Sequence, residues 1–266
     1  MNKKELKRKL SEAKQYRYYT QYAEALAILH QIVAEYPEAV YYYLLAATYL
    51  EAGEKDLTMQ YLDEVLNIDT NYKGAYELKA KVYESEKKYN KAEQMYLKAL
   101  DIDPDFFNSR DGLICMYWHE VKDYEKTIQQ CEFVFDKYNS YVFKEDELKD
   151  KFQWIGAFKS PAVESYVHLK RYDDAIKLLL RYKKVIRDYV GKGNDENTLT
   201  SEDRFLYKLY YLLGYKEKLE EQRKLWKEHY KASDSEILGM EKDTEQGYIL
   251  NVNWDNYQVG KNGEIL

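Results

Sequence analysis

The sequence predicts an all-α fold: an α-solenoid of five to six helix pairs, followed by a C-terminal extended or β-hairpin arm. Tyrosines recur at spacings of 33, 34 and 34 residues, and small residues recur in step with them. A period near 34 is typical of stacked helix pairs, because each pair buries its apolar face only against the next pair. The columns are Tyr16, Tyr49, Tyr83, Tyr117; Ala13, Ala46, Ala80 and then Ile114; Ala25, Thr58, Ala92, Thr127; Leu29, Leu62, Tyr96, Cys131; and Ile32, Val65, Ala99, Val134.

The first four units follow one another over residues 6–141. They span about 6–38, 39–72, 76–104, and 107 to about 141, and each is expected to hold two helices. The fourth unit is looser than the others, with one extra residue that we assign to the inter-helix turn before Tyr124.

The third of these units closely resembles a tetratricopeptide repeat. The matching residues are Tyr76, Ala80, Tyr83, Tyr89, Ala92, Tyr96, Ala99 and Pro104. The second unit departs from the family at Thr58, where the family has alanine, and at Thr70, where it has proline. The resemblance covers residues 6–141. It implies pairs of antiparallel helices in a right-handed superhelix, with a concave face that binds proteins or peptides.

The rhythm slips after the fourth unit, where the charged stretch 144–151 precedes new apolar residues. Two interpretations stay open here: an inserted helix, or a longer first helix of the next unit. The family spacing returns in a fifth unit at 160–189, where Pro161 is expected to start a helix. A degenerate sixth unit is expected from helices at 202–213 and 216–231, and the polar outer side of the second suits the cap of a solenoid.

The last segment, residues 233–266, changes character. Apolar residues nearly alternate in it, which predicts a short extended or β-hairpin arm. Its apolar side is expected to be buried, either on the molecule's own last helices near Trp226 or on a second copy of the chain. The alternating residues are Tyr248, Leu250, Val252 and Trp254. The predicted organisation is therefore four repeat units at 1–141, a charged insertion with two degenerate helix pairs at 142–232, and the arm.

Composition and charge exclude several classes of function. The net charge of −6 argues against general nucleic-acid binding, which usually needs a basic stripe. The sequence contains neither a signal-peptide run nor an apolar stretch of about 20 residues, which predicts a cytoplasmic protein without a membrane partner. Cys115 and Cys131 are expected to be free thiols, as is usual in a reducing compartment.

Motifs that would indicate an enzyme are missing from the sequence. Glu164 and His168 share a helix face, but one such pair is most often a solvated contact. Gly191 and Gly193 lack the spacing of a phosphate-binding loop, and neither cysteine lies in a nucleophile motif. We therefore predict no catalytic residue, no metal site and no cofactor.

The resemblance also implies which side chains face the concave wall. Transferred position by position, they are Lys14, Arg17, Tyr18, Tyr43, Ala47, Leu50, Glu77, Lys81, Glu84, Asp111, Trp118 and His119. Some relatives clamp a peptide carboxylate with lysine and asparagine on this wall, but Tyr43, Ala47, Glu77 and Asp111 stand at the relevant places. A mixed aromatic and acidic wall suits a peptide with apolar anchors and some basic residues. The alternative is that these positions are ordinary solvated helix faces.

The predicted function is a non-catalytic scaffold or adaptor that binds a protein or peptide in this groove. Alternatives are a peptide-sensing regulator, a toxin-neutralising or chaperone-type protein of the same family, and an enzyme with a site under the arm. The sequence names neither the partner nor the oligomeric state, and it leaves open whether the groove or the arm carries the interface.

Overall fold

The computed structural model describes the backbone of residues 2–139, 145–190, 201–228 and 231–246, and the side chains of 2–137, 156–184, 203–228 and 231–246. These residues form helices and turns, with no strand among them. The chain divides into two compact units, Met1–Lys122 and Asp123–Leu266, which are described separately. The helices are α1 (Lys3–Tyr18), α2 (Tyr22–Glu35), α3 (Ala39–Glu51), α4 (Lys55–Ile68), α5 (Lys73–Ser85), α6 (Tyr89–Ile102), α7 (Phe107–Cys115) with the π segment Met116–Val121, α8 (Tyr124–Asn139), α9 (Glu145–His168), α10 (Tyr172–Val190), α11 (Ser201–Leu213), α12 (Lys216–Glu228) and α13 (Asp234–Glu245).

The first helices of five pairs end in the same way, at a residue with left-handed backbone. These residues are Thr20, Gly53, Lys87, Lys170 and Gly214. In each case the next residue donates its N–H to the carbonyl five positions earlier, as Gln21 does to Tyr16 at 2.9 Å. This bond satisfies a carbonyl that the helix end leaves open. The tyrosine column therefore marks helix ends as well as packing positions.

The interior of the compact unit Met1–Lys122 is built largely from the predicted columns. Ala80 and Ile114 show how closely it packs, with 0% and 1% of their surfaces exposed. The other buried column residues between Met1 and Lys122 are Ala13, Ala25, Leu29, Ile32, Ala46, Thr58, Leu62, Val65, Ala92, Tyr96, Ala99 and Tyr117. The prediction that these positions are buried is confirmed.

Threonine replaces alanine at two column positions without leaving a buried hydroxyl unsatisfied. Thr58 Oγ1 donates to the carbonyl of Glu54 at 2.8 Å. Thr127 Oγ1, in the compact unit Asp123–Leu266, donates to the carbonyl of Asp123 at 2.9 Å. A bond to the carbonyl one turn earlier satisfies the hydroxyl within its own helix. The departure from the family pattern at Thr58 therefore keeps the small side chain that the packing needs.

The extra residue of the fourth unit lies inside a helix. After α7 the helix continues as the π segment, and Lys122 N–H closes it by donating to the carbonyl of Tyr117. Lys122 has a φ of 58° and lies two residues before the next helix begins, the same offset as Lys87 before α6. The turn therefore keeps its usual length, and the prediction of a longer turn is wrong. A π turn holds one more residue than an α turn, so it absorbs the insertion.

In the compact unit Asp123–Leu266, the charged stretch at 144–151 belongs almost entirely to one long helix. α9 runs from Glu145 to His168, as the longer-helix interpretation expects. Pro161 lies inside α9, so the prediction that it starts a helix is wrong. Proline removes one helical hydrogen bond, but Phe158, Ala162 and Val163 are buried on both sides of it. Their burial favours a helix that continues through the proline.

Helices α11 and α12 lie where the sixth unit was predicted, but the segment after them differs from the prediction. Residues 234–245 form α13, so the prediction of an extended arm is wrong for this part. Ser233 accepts the backbone N–H of Glu236, and the Glu236 carboxylate accepts the backbone N–H of Ser233. This reciprocal capping box starts the helix. The predicted hairpin at 247–266 lies outside the described residues.

A polar network holds α13 on the preceding helices. Tyr207 Oη donates to Glu241 on α13, and Arg223 donates to the same carboxylate at 2.5 Å. Arg223 also donates to Tyr207 Oη at 2.9 Å. The ring of Tyr207 lies 4.6 Å from that of Trp226, which is fully buried. These contacts hold α13 near Trp226, the residue near which we predicted the arm to pack.

Candidate functional site

All twelve residues predicted to face the concave wall lie in the compact unit Met1–Lys122, on α1, α3, α5, α7 and the π segment. We call these twelve residues the wall. The periodicity puts them on the first helices of successive pairs, while the second helices, α2, α4 and α6, carry none of them.

Charged side chains connect the first two helices of the wall. Arg17 on α1 donates to both carboxylate oxygens of Glu51 on α3, at 2.5 and 3.1 Å. A two-pronged arginine–carboxylate contact fixes orientation as well as distance. Lys14 is exposed, and Tyr18 is 81% exposed with its ring 5.2 Å from that of Tyr19. This end of the wall therefore presents an open aromatic pair beside a fixed ion pair.

Tyr43 lies at the centre of the wall, between α3 and α5. Its ring is 5.1 Å from that of Tyr72, and a Cβ at Gly74 would lie 3.0 Å from it. Burial, reinforced by the negative charge of Glu77 and by Tyr72, raises the pKa of Tyr43 to about 12, and Arg17 opposes the shift. Tyr43 is therefore neutral at physiological pH, and its ring is fixed by close packing.

Wall residues on α5 and α7 form a charged group around Lys81. Its ammonium lies 2.5 Å from Glu77 Oε1, in a geometry that makes an ion pair and no hydrogen bond, and only 2% of the Glu77 side chain is exposed. Burial raises the pKa of Glu84 and of Asp111, while the positive charge of Lys81 lowers both. Negative charge is thus concentrated here beyond what one lysine compensates.

Cys115 lies on the same face of α7 as Asp111. Its thiol is 3.9 Å from Asp111 Oδ1. Burial, followed by the negative charges of Asp111 and Glu84, raises the pKa of the Cys115 thiol to about 11. A thiol of this kind is protonated at neutral pH and is a poor nucleophile. The environment therefore makes Cys115 a packing residue.

The π segment carries the last two wall residues. The ring of Trp118 is half-buried and lies 3.9 Å from that of His119, which is exposed. Two other wall residues, Ala47 and Leu50, pack against the apolar cluster of the second and third helix pairs. The structure thus connects Arg17, Tyr43, Glu77, Lys81, Glu84 and Asp111 by contact or charge.

Sequence reasoning missed a cleft beside the wall. It has a volume of about 530 Å³ and lies between the α5–α6 turn and the helix formed by α7 and the π segment. Lys81 and Glu84 of the wall line it together with Tyr89, Tyr96 and Glu120. The signal in the sequence was the extra residue after Tyr117, which changes the side chain that reaches the cleft.

Two other kinds of site receive no support from the described parts of the chain. Among these residues, no group of three or more histidine, cysteine or acidic side chains is arranged to hold a metal ion. Within the same residues, no helix combines the length and the apolar character needed to cross a membrane.

Comparison with known proteins identifies two of the repeats and supports the fold. Residues 39–72 and 74–106 match the family model of the tetratricopeptide repeat. No curated protein matches the chain. Similar solved structures are pilF of Pseudomonas aeruginosa (12% identity, 91% of this chain and 97% of that one, TM-score 0.53), Naa15/Naa10 bound to HypK-THB (13%, 92% and 34%, 0.57), and the nearly identical TPR-like repeats of a putative kinesin light chain from Podosopora anserina (15%, 69% and 96%, 0.52). At these identities the likeness shows the fold alone.

Proposed function

Since this chain contains tetratricopeptide repeats, we propose that it is a non-catalytic adaptor whose wall binds an extended segment of a protein partner. Repeats of this family mediate protein–protein interaction, and stacked repeats present their first helices as one extended surface. The observation that carries the proposal is the grouping on α3, α5, α7 and the π segment. Packed aromatic side chains, Tyr43 and Trp118, lie there on either side of the charged group around Lys81.

Fixed side chains make such a surface suitable for binding. Tyr43 is packed between Tyr72 and the backbone at Gly74, and Arg17 is held by two bonds to Glu51. A partner that meets side chains already fixed in place loses less conformational entropy from the protein on binding. The wall therefore supports recognition of a segment with an extended backbone and spaced side chains.

The chemistry of the wall selects the kind of segment. The half-buried rings of Tyr43 and Trp118 offer contact to apolar side chains, because aromatic anchors carry much of the binding free energy at interfaces. Glu84 and Asp111 add negative charge between these anchors, which favours basic residues in the ligand. We therefore expect a segment that combines apolar and basic side chains.

Selection of peptides from a random display library against the full chain tests this proposal. A selected peptide should bind Trp118→Ala and Tyr43→Ala more weakly than wild type by over ~1 kcal/mol each, with unchanged helicity by circular dichroism. Leu97→Ala is the matched control, because Leu97 is a partly exposed apolar residue on α6 and is not part of the wall. Unchanged affinity of the double variant Tyr43→Ala/Trp118→Ala would place the interface elsewhere.

A further inference from the structure

The cleft beside the wall is large enough for the end of a long side chain. Its volume of about 530 Å³ exceeds that of several water molecules, each of which takes about 30 Å³ in the liquid. Its polar lining includes Lys81, Glu84, Lys87, Tyr89, Tyr96 and Glu120. The cleft therefore combines space with ionised and hydroxyl groups.

Two carboxylates in the cleft are each held by a tyrosine. Tyr96 Oη donates to Glu84 Oε2 at 2.8 Å, and Tyr89 Oη donates to Glu120 Oε2 at 2.9 Å. No described residue donates a hydrogen bond to the second oxygen, Oε1, of either carboxylate. An ionised carboxylate has room for about four hydrogen bonds. Each group thus keeps acceptor capacity while its orientation is fixed.

The π segment determines that Glu120 takes part. Glu120 lies two residues before the left-handed Lys122, as Ser85 lies two residues before the left-handed Lys87, and both residues line the cleft. Without the extra residue of the π segment, His119 would stand at that offset. π turns of this kind are frequent at functional sites. The insertion thus exchanges an imidazole for a carboxylate beside the cleft.

The surroundings of the cleft carry more negative than positive charge. The lining itself has two carboxylates, Glu84 and Glu120, and two ammonium groups, Lys81 and Lys87. The excess of negative charge comes from Glu77 and Asp111, which lie around Lys81. The buried carboxylate of Glu77 is paired with the Lys81 ammonium, and this engages the lysine charge outside the cleft carboxylates. Burial first, and then the charge of Glu120, raises the pKa of Glu84. An added cation between Glu84 and Glu120 would favour the ionised form of both carboxylates.

We propose that this cleft binds the guanidinium group of an arginine side chain in the partner segment. The planar guanidinium carries five N–H donors, enough to bond the second oxygen of both Glu84 and Glu120. A lysine ammonium is a single point charge and matches two fixed carboxylates less well. The inference rests on the proposed function, since it names the residue that the bound segment brings to this site.

The probe is a blocked pentapeptide, Gly-Ser-Arg-Ser-Gly, titrated into the full chain and followed by amide chemical shifts in NMR. The comparison peptide has citrulline in place of arginine, which keeps the shape and removes the charge. We expect shifts at the α5–α6 turn, Gly112 and the π segment, with the citrulline peptide binding about tenfold more weakly, since a lost charge-assisted bond has this magnitude. Equal affinity for the two peptides, or shifts confined to other segments, would overturn the inference.

Variants that keep the hydrogen bonds test the carboxylates. Glu84→Gln and Glu120→Gln preserve an acceptor for Tyr96 and Tyr89, and each should weaken the arginine peptide about three- to tenfold after allowance for solvent screening. Glu64→Gln on α4 is the control, because it changes the net charge equally at an exposed site. If Glu84→Gln and Glu120→Gln have no more effect than this control, the site is wrong.

Lys87→Gly should act in the opposite direction and tighten binding of the arginine peptide, because it removes a competing ammonium at a backbone position that favours glycine.

Library-selected peptides distinguish the arginine site from the proposed function of the wall. If they need Tyr43 and Trp118 but show no preference for arginine, the wall stands and the arginine site fails. If arginine binds through Glu84 while Tyr43→Ala and Trp118→Ala have no effect, the arginine site stands and the proposed binding through the aromatic residues of the wall fails.

Discussion

Gly112→Ala is expected to destabilise the compact unit Met1–Lys122, although alanine is normally the better helix former. Gly112 lies in α7, and a Cβ added there would stand 2.5 Å from Cζ and 2.6 Å from Cε1 of Tyr96. Carbon atoms in proteins do not approach so closely, so the helix or the ring must move. The ring cannot move freely, because Tyr96 is 1% exposed and its hydroxyl is bonded to Glu84.

The magnitude follows from two opposing effects. The substitution gains about 1 kcal/mol in helix propensity. Overpacking a filled core costs about 1–3 kcal/mol, and displacement of the ring weakens the Tyr96–Glu84 hydrogen bond, which contributes about 1 kcal/mol. The net expectation is a loss of about 1–3 kcal/mol of the free energy of unfolding, measured by urea titration with circular dichroism.

Two other helical glycines are matched controls. At Gly239 in α13 nothing lies within 4 Å of the added Cβ, so Gly239→Ala should stabilise by up to about 1 kcal/mol. At Gly74 the nearest atom is Tyr43 Cε2 at 3.0 Å, on a half-buried ring, so Gly74→Ala should fall between the two. The reasoning is refuted if Gly112→Ala is as stable as wild type, or if the order of the three variants is reversed.

Three further predictions concern packing, pH and reactivity. Ala80→Leu should lower the unfolding free energy by about 1–3 kcal/mol in the same titration, because Ala80 is fully buried; no loss would contradict the packing. Burial raises the pKa of Glu241, but hydrogen bonds from Arg223 and Tyr207 outweigh it and hold this pKa below the ordinary 4.5, so the stability that the carboxylate gives to α13 is present above pH 4.5 and lost as pH falls through the lowered value. The protection factor of the α13 amides, which is the intrinsic exchange rate divided by the observed one, should therefore fall in acid, and less so in Glu241→Gln. Iodoacetamide at pH 8 should modify Cys115 about a hundredfold more slowly than an ordinary thiol, since its pKa of about 11 replaces 9.0, and Asp111→Asn should speed the reaction.

Periodicity predicted the core of the first unit, because it reports packing directly. A position that must hold a small side chain between two helices does so in each repeat, as at Ala13, Ala46 and Ala80. In α11 and α12 the structure shows the same register, although their repeat is degenerate: Tyr210 lies four residues before the left-handed Gly214, as Tyr166 does before Lys170.

The sequence was less informative where one local rule competes with another. Proline usually starts or breaks a helix, yet Pro161 lies within α9 because the apolar residues around it are buried. The change in composition after residue 232 suggested an extended arm, whereas the pattern of Ser233 with Glu236 three residues later marks a helix start. That capping signal was present and could have been used.

The candidate site could be predicted only in part. Residue positions on first helices follow from the repeat, so the wall could be proposed from the sequence. The cleft could not, since it depends on where one extra residue is absorbed. A longer turn would leave Glu120 unrelated to Ser85, whereas the π segment gives both residues the same offset from the helix end.

Hydrogen exchange of the full chain, with and without a library-selected peptide, tests the central claim most directly. If the wall is the binding surface, the peptide should slow exchange in α3, α5, α7 and the π segment, and leave α2, α4 and α6 unchanged. Protection confined to α2, α4 and α6, or to residues 123–246, would contradict it.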